Sequence, residues 1–270
     1  MNISTLQLVF FSPTGTTRTI IEEIARGIGH PAVERVDITR QDSRKRLLEA
    51  SGDDLLVVGV PVYVGRAQEH AIDWLRRIKG NHTPAVAVVV YGNREFDDAL
   101  LELKQTLAGS GFLPVAGAAF IGEHSFSSPE TPIAPGRPDA GDLALAFSFG
   151  GMVRAKLSSI PSAGSIADLP VPGSYPYTDI TEKKKILSGI DLVAVGQECA
   201  HCGECARACP VGAIDPENSA RVDTGTCIVC HACVKVCPTG ARTVKNEMVK
   251  SIAQRLSGTL QARKEPRLFL

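Results

Sequence analysis

The chain has 270 residues, 44% of them hydrophobic, and its 29 basic and 29 acidic side chains balance to zero net charge. That length holds one ordinary domain and a small one, with enough apolar side chains for a packed core. The charge balance leaves no basic footprint for nucleic acid or an anionic membrane surface, and no apolar run approaches the roughly 18 residues of a membrane span.

Residues 1–11 are apolar without a basic leader or cleavage site, and within them residues 6–11 read as a strand buried on both faces. The run ends in Ser12-Pro13-Thr14-Gly15-Thr16-Thr17, after which Ile20, Ile21, Ile24, Ala25 and Ile28 recur at helical spacing. A loop at a helix N-terminus is where backbone N–H groups and the helix dipole receive a phosphate. The loop lacks the G-x-x-x-x-G-K-[ST] pattern of a nucleoside triphosphate site. Its hydroxyls at Ser12, Thr14, Thr16 and Thr17, with Gly15 letting the backbone approach, suit a terminal monoester phosphate. A plain hydroxyl-rich helix cap is the competing reading.

Further along, residues 32–37 alternate weakly and residues 44–50 are expected to form a short helix. Residues 54–60 form a second buried strand, which exits into Pro61-Val62-Tyr63-Val64-Gly65-Arg66. After a helix over 71–78, a strand over 85–90 exits into Tyr91-Gly92-Asn93-Arg94. A helix over 96–110, a fifth strand over 114–120 and a helix over 142–157 follow. Strands alternating with helices indicate a parallel sheet with right-handed crossovers. Residues 122–138 interrupt this order with a Pro/Gly-rich stretch, which is either a spacer or a segment that lines the site through His124 or Phe126. Proline, glycine and serine dominate residues 158–176, as in a linker. Gly109-Ser110-Gly111 follows a helix rather than a strand and is not a dinucleotide fingerprint.

All eight cysteines fall between residues 199 and 237, as C-A-H-C-G-E-C-A-R-A-C-P and then C-I-V-C-H-A-C-V-K-V-C-P. An offset of 28 carries Cys199, Cys202, Cys205, Cys209 and Pro210 onto Cys227, Cys230, Cys233, Cys237 and Pro238, so one metal-binding half is written twice. A cubane iron–sulfur cluster needs four soft thiolates and many backbone N–H groups aimed at its sulfides. C-x2-C-x2-C supplies three corners from one turn, and the fourth cysteine, followed by proline, reaches the other cluster. Resemblance to the bacterial 2[4Fe-4S] ferredoxins implies one cluster on Cys199, Cys202, Cys205 and Cys237 and the other on Cys227, Cys230, Cys233 and Cys209. Structural zinc leaves the third cysteine at the same step unexplained, and a disulfide framework needs an oxidising compartment. Eight reduced cysteines place the chain in the cytoplasm.

His201 and His231 lie inside the cysteine loops but are read as non-ligands, because the cysteine count is complete. His30, His70, His82 and His124 are scattered, and no catalytic residue is expected. Beyond the cysteines, Met248, Ile252, Leu256 and Leu260 at four-residue steps predict a helix covering an apolar surface, and Arg263, Lys264 and Arg267 a solvated tail.

About 50 residues, 195–245, closely resemble the bacterial 2[4Fe-4S] ferredoxins, with no departure at a motif position. Residues 3–157 resemble flavodoxin, which implies FMN at the switch point between the first and third strands. That resemblance assigns Ser12, Thr14, Gly15, Thr16 and Thr17 to the phosphate, and Pro61, Tyr63, Gly65, Arg66, Tyr91, Gly92 and Asn93 to the flavin ring, where a tyrosine can stack. Arg66 would approach the reduced ring or simply be solvated. Arg94 ahead of Glu95, Asp97 and Asp98 departs from the acidic surface of simple flavodoxins. The stretches G-x-P-V-Y-x-G-R (59–66) and Y-G-N-R-x-x-D-D-A-L (91–100) make the whole chain similar to the flavodoxin–ferredoxin fusion family.

The resemblance implies a flavodoxin-like doubly wound, five-stranded parallel sheet over 1–157, a linker over 158–190, a small α+β ferredoxin domain over 191–246 and a helix and tail over 247–270. The expected function is electron transfer between FMN, two [4Fe-4S] clusters and external redox partners such as a ferredoxin, a flavodoxin or an oxidoreductase. Two alternatives stay open: an FMN-dependent reductase of a small molecule fed by its ferredoxin domain, and a zinc-stapled interaction protein without FMN. A homodimer, one chain's clusters facing its partner's flavin, is compatible with either redox reading.

Overall fold

The computed structural model describes Met1 and residues 3–270; Asn2, within the N-terminal run, lies outside the described residues. In chain order the elements are β1 (Thr5–Phe10), α1 (Thr16–Ile28), β2 (Val33–Asp37), β3 (Asp54–Tyr63), β4 (Arg66–Ala67), α2 (Glu69–Leu75), β5 (Thr83–Tyr91), α3 (Ala99–Gly109), β6 (Phe112–Ile121) and α4 (Ala140–Ser159). After them come α5 (Thr181–Leu187), β7 (Val193–Val195), α6 (Glu204–Ala208), α7 (Ala232–Lys235), β8 (Arg242–Val244), α8 (Glu247–Thr259) and β9 (Arg267–Phe269).

Five strands pair in parallel in the order β2-β1-β3-β5-β6, while β4 folds back on β3 as a short hairpin. With the hairpin set aside this is the 2-1-3-4-5 order of a flavodoxin-like sheet, whose direction of winding reverses between β1 and β3. Side chains alternate across it. Leu8, Leu55, Val57 and Val88 join α1 and α4 in one core, and Val9, Leu56, Val58 and Ala87 join α2 and α3 in the other.

Helices α1 and α4 cross backbone to backbone. A Cβ on Gly27 would fall inside the Phe147 carbonyl, and one on Gly150 inside the Ile24 carbonyl, whereas a Cβ on Gly151 would meet nothing. Gly150→Ala is therefore expected to lower stability by about 2 kcal/mol or more, seen as a lower urea midpoint at unchanged slope. Gly151→Ala, in the same helix, is expected to be neutral or mildly stabilising. Equal midpoints for the two variants would refute the close crossing.

Residues 44–50 do not form the expected helix; only a single 3-10 turn stands at Ser43–Lys45. Tertiary donors take the carbonyls that a helix would use. Arg77 Nη1 donates to Arg44 O, Trp74 Nε1 to Arg46 O and Gln7 Nε2 to Glu49 O. The proline-rich segment after α4 is a strap rather than a free tether. Leu169 is buried, and the Asp98 carboxylate accepts the amides of Ser174 (2.9 Å) and Thr178 (2.8 Å).

A third core, built on Ile190, Leu192, Val193, Val229 and Val249, supports the cysteine loops beneath the antiparallel pair β7–β8. Helix α8 turns Val249 and Ala253 inward and leaves Met248 exposed, so its buried stripe is rotated by one residue from the expected one. The expected solvated tail is instead ordered: β9 pairs antiparallel with β6, Gly117 opposite Phe269. Leu268 and Phe269 join the two sheet cores, and β9 covers an edge that β6 would otherwise leave open. Among the described residues no helix is long and apolar enough to cross a membrane.

Candidate redox centre

The C-terminal ends of β1, β3 and β5 open at one edge of the sheet, where open α/β folds bind ligands. After β1, Gly15 takes the left-handed conformation (φ 89°) and caps α1. Ser12 is held by its amide on Thr39 Oγ1 (2.8 Å), while its hydroxyl oxygen accepts the Arg18 amide (3.0 Å). Among the described residues none accepts from the amides of Thr16 and Thr17, the first-turn donors a helix leaves orphaned. Free amides, three threonine hydroxyls and a positive helix end suit a monoester phosphate.

The expected ring contacts divide. Tyr63 leaves β3 towards the cysteine loops, and burial raises its hydroxyl well above the usual range, with the Cys230 and Cys227 sulfurs adding to the effect. Tyr91 turns into the core against Phe96 (5.5 Å between ring centroids), and burial, then Glu95, pushes its pKa to about 12. Its ring is buried, at 4% exposure. Arg66 forks its guanidinium onto Glu102 (2.8 and 2.5 Å) under the Tyr177 ring (4.3 Å). Asn93 donates from Nδ2 to the carbonyls of Leu260 (3.1 Å) and Ala262 (3.0 Å), so it ties down the chain after α8. Gly92 lies against the His124 ring and Gly65 against the Asp97 carboxylate, while Pro61 ends the parallel pairing of β3 with β5.

The cysteines border two cavities. Cys209, Cys227, Cys230 and Cys233 line the larger, whose space is about 410 Å³ with open solvent included; Cys199, Cys202, Cys205 and Cys237 line the smaller, about 310 Å³ on the same basis. Among the described residues no three His, Cys, Asp or Glu side chains converge closely enough to hold a single metal ion. The backbone of the cysteine halves repeats as the sequence does. His201 and Gly203 have positive φ in the first half, Val229 and His231 in the second, again at an offset of 28. Such left-handed residues turn successive amides inward, the nest geometry of iron–sulfur and phosphate sites.

Ala213 N donates to Cys209 Sγ (3.2 Å). Burial acts to raise the Cys237 thiol, but the amides of Arg242, Thr239 and Ala241 outweigh it and the pKa is lowered. Burial raises the thiols of Cys227, Cys230 and Cys233, which a coordinated cation would deprotonate. The donor set thus fits an iron–sulfur cluster in each cavity.

Both cysteine halves touch the flavodoxin-like part of the chain, the second more extensively. Ile228, in the wall of the larger cavity, packs against the sheet core, and Arg44 Nη2 donates to Pro210 O (2.9 Å). Lys235 Nζ bonds Glu123 Oε1 and Ser127 O, both at 2.8 Å, and His231 stacks on Phe126 (4.5 Å, 24°). Residues 122–138 are therefore a docking bracket, a role that sequence reasoning missed; the signal was Phe126 among hydroxyl residues close to Glu123. Cys202, in the other set, is exposed.

Within the bracket His124 packs edge-on to Phe126 and accepts the Phe126 amide at Nδ1 (3.0 Å). Burial, reinforced by Lys235 and Arg94, lowers its pKa from 6.5 to about 4. The folded ring is neutral, whereas the unfolded one takes up a proton below about pH 6.5. Its contribution to stability is complete above that value and is lost as pH falls towards 4. Thermal midpoints should fall by several degrees between about pH 7.5 and pH 5, and His124→Phe should flatten that slope. An unchanged slope in the variant would acquit His124.

A family described as the 4Fe-4S dicluster domain matches residues 198–241. Part of the chain is similar in structure to a flavodoxin from the domain Archaea (15% identity, TM-score 0.41, covering 57% of this chain and 99% of that one). Similar figures hold for a Streptococcus pneumonia TIGR4 flavodoxin (16%, 0.41, 57% and 99%) and oxidised flavodoxin 2 from Bacillus cereus (15%, 0.41, 57% and 99%). Comparison with curated proteins gives no match. By its own strand order the N-terminal half is flavodoxin-like, and a 4Fe-4S dicluster segment follows it. The chain thus joins a flavodoxin-like sheet to a 4Fe-4S dicluster segment.

Proposed function

We propose that the protein carries electrons between FMN, bound at the C-terminal edge of β1, β3 and β5, and two [4Fe-4S] clusters held by the crossed cysteine sets. When bound, FMN takes or gives two electrons and each cluster moves one, so one chain can link hydride-type to single-electron chemistry. The observation that carries this reading is the packing of Ile228, in the Cys227–Cys233 loop, against the sheet core, with Tyr63 near the Cys230 and Cys227 sulfurs. Ser12, Thr14, Gly15, Thr16 and Thr17 would anchor the phosphate and Tyr63 would meet the ring.

The cluster of Cys227, Cys230, Cys233 and Cys209 then stands next to the flavin, and that of Cys199, Cys202, Cys205 and Cys237 faces outward through exposed Cys202. A cytoplasmic single-electron protein is the partner this outer face suits. Approach of clusters to flavin within one chain supplies what a homodimer was invoked for, and a docked bracket over the ring loops favours a carrier over a small-molecule reductase. The domain limits that go with this reading are 1–157, 158–190, 191–246 and 247–270, with β9 returned to the first.

The test is an iron, sulfide and flavin assay on protein purified without oxygen, followed by stepwise reduction. About eight iron and one FMN per chain, with both chromophores equilibrating internally, is the expected result. Zinc without flavin would end the redox reading.

A further inference from the structure

The repeat that duplicates the cysteines breaks at a position that is buried in both halves. Pro210-Val211-Gly212-Ala213-Ile214 corresponds to Pro238-Thr239-Gly240-Ala241-Arg242, so one half has isoleucine where the other has arginine. Both are buried, Ile214 at 5% exposure and Arg242 at 3%. Ile214 contributes an apolar wall to the larger cavity alone, whereas Arg242, the first residue of β8, lines both cavities.

Arg242 Nη1 donates to Ser219 O at 2.6 Å and to Cys205 Sγ at 3.5 Å, a carbonyl and a thiol, neither of them a carboxylate. Its Nε and Nη2 are buried without a partner among the described residues. Arginine cannot shed its charge, and a dry guanidinium with two idle donors is strongly unfavourable unless an anion meets them. The contents of these cavities would meet them: a cluster with four thiolates is anionic, and its sulfides accept hydrogen bonds.

We propose that Arg242 is a potential-setting residue shared by both clusters, its free N–H groups donating to cluster sulfides and its charge stabilising the reduced form of each. This rests on the two-cluster reading above. Reduction brings one electron from an external low-potential donor to an already anionic centre, with no bond made or broken and no proton moved. A fixed positive charge beside that centre, in a region of low dielectric, favours the added electron. One guanidinium between two cavities acts on both, and its planar fork can present donors in two directions at once.

The test compares the full chain with Arg242→Ile, which restores the symmetry of the repeat, and with Arg242→Gln and Arg242→Lys. Each is reconstituted anaerobically, assayed for iron and sulfide, and titrated with dithionite while paramagnetic resonance follows the two reduced centres separately. In Arg242→Ile and Arg242→Gln the ratio of reduced to oxidised form at a given poise is expected to fall about tenfold at both centres, equivalent to about 59 mV for a one-electron couple. Arg242→Lys should recover about half of that shift by keeping the charge. Should Arg242→Ile fail to assemble, Arg242→Gln, polar and uncharged, carries the same expectation. Unmoved ratios in a fully loaded variant, or a shift confined to one centre, would overturn the proposal alone. A wild-type chain lacking about eight iron would overturn the two-cluster reading beneath it.

Discussion

Cys209→Ser is expected to abolish the cluster bounded by Cys227, Cys230 and Cys233 and to spare the one bounded by Cys199, Cys202 and Cys205, its own neighbours in sequence. The chain turns at the end of α6, so Cys209 lines the larger cavity with the second cysteine half, and Cys237 lines the smaller with the first. A serine oxygen is a harder, less readily ionised ligand than a thiolate, and three corners seldom hold a cubane through purification. Iron should fall from about eight to about four per chain, with one resonance signal lost. Cys237→Ser should remove the other signal. Loss of the sequence-adjacent cluster in either variant would falsify the crossed arrangement. On the proposed function the Cys209 cluster is the one nearer the flavin, so Cys209→Ser should also stop flavin and the remaining cluster from equilibrating quickly. Cys237→Ser should leave exchange between flavin and the inner cluster intact.

Thr16→Asp is expected to cut FMN affinity about 100-fold or more while leaving the fold as stable as before. Thr16 is the first residue of α1, where a carboxylate is well placed against the positive end of the helix, so the substitution suits the helix itself. It also puts a negative charge where the phosphate would sit and removes a charge-assisted donor worth about 1.5–3 kcal/mol. Riboflavin, which lacks the phosphate, is the control; its affinity should change less than tenfold. Fluorescence titration of both flavins decides the matter, and an equal loss for both would place the phosphate elsewhere.

The parts legible in the sequence are those whose chemistry is local. The cysteine halves announce themselves by a spacing that a single turn must satisfy, and the Ser12–Thr17 loop by its hydroxyls between a buried strand and an amphipathic helix. Strand alternation likewise gave the sheet. What stayed hidden depends on partners far along the chain. The direction of the Tyr91 ring is set by Phe96 and the core, Arg66 is drawn away by Glu102, and Asn93 is spent on carbonyls more than 160 residues later. The C-terminal residues looked like a charged tail because Arg263 and Lys264 dominate them, yet Arg263 pairs with Asp139 (2.5 Å) and Lys264 with Glu95 (3.1 Å). Arg242 was readable throughout, since laying one cysteine half over the other exposes its mismatch with Ile214.

The return of β9 to the sheet means that the cysteine half is joined to the other at both of its ends, through the strap on Asp98 and through the last strand. It behaves as an inserted loop closed on a clasp, not as a bead on a string. A single proteolytic cut between residues 160 and 190 would leave the halves together, and the local concentration of one at the other stays high however dilute the protein. Internal exchange should then be first-order and independent of protein concentration, so that only delivery by an outside partner slows on dilution.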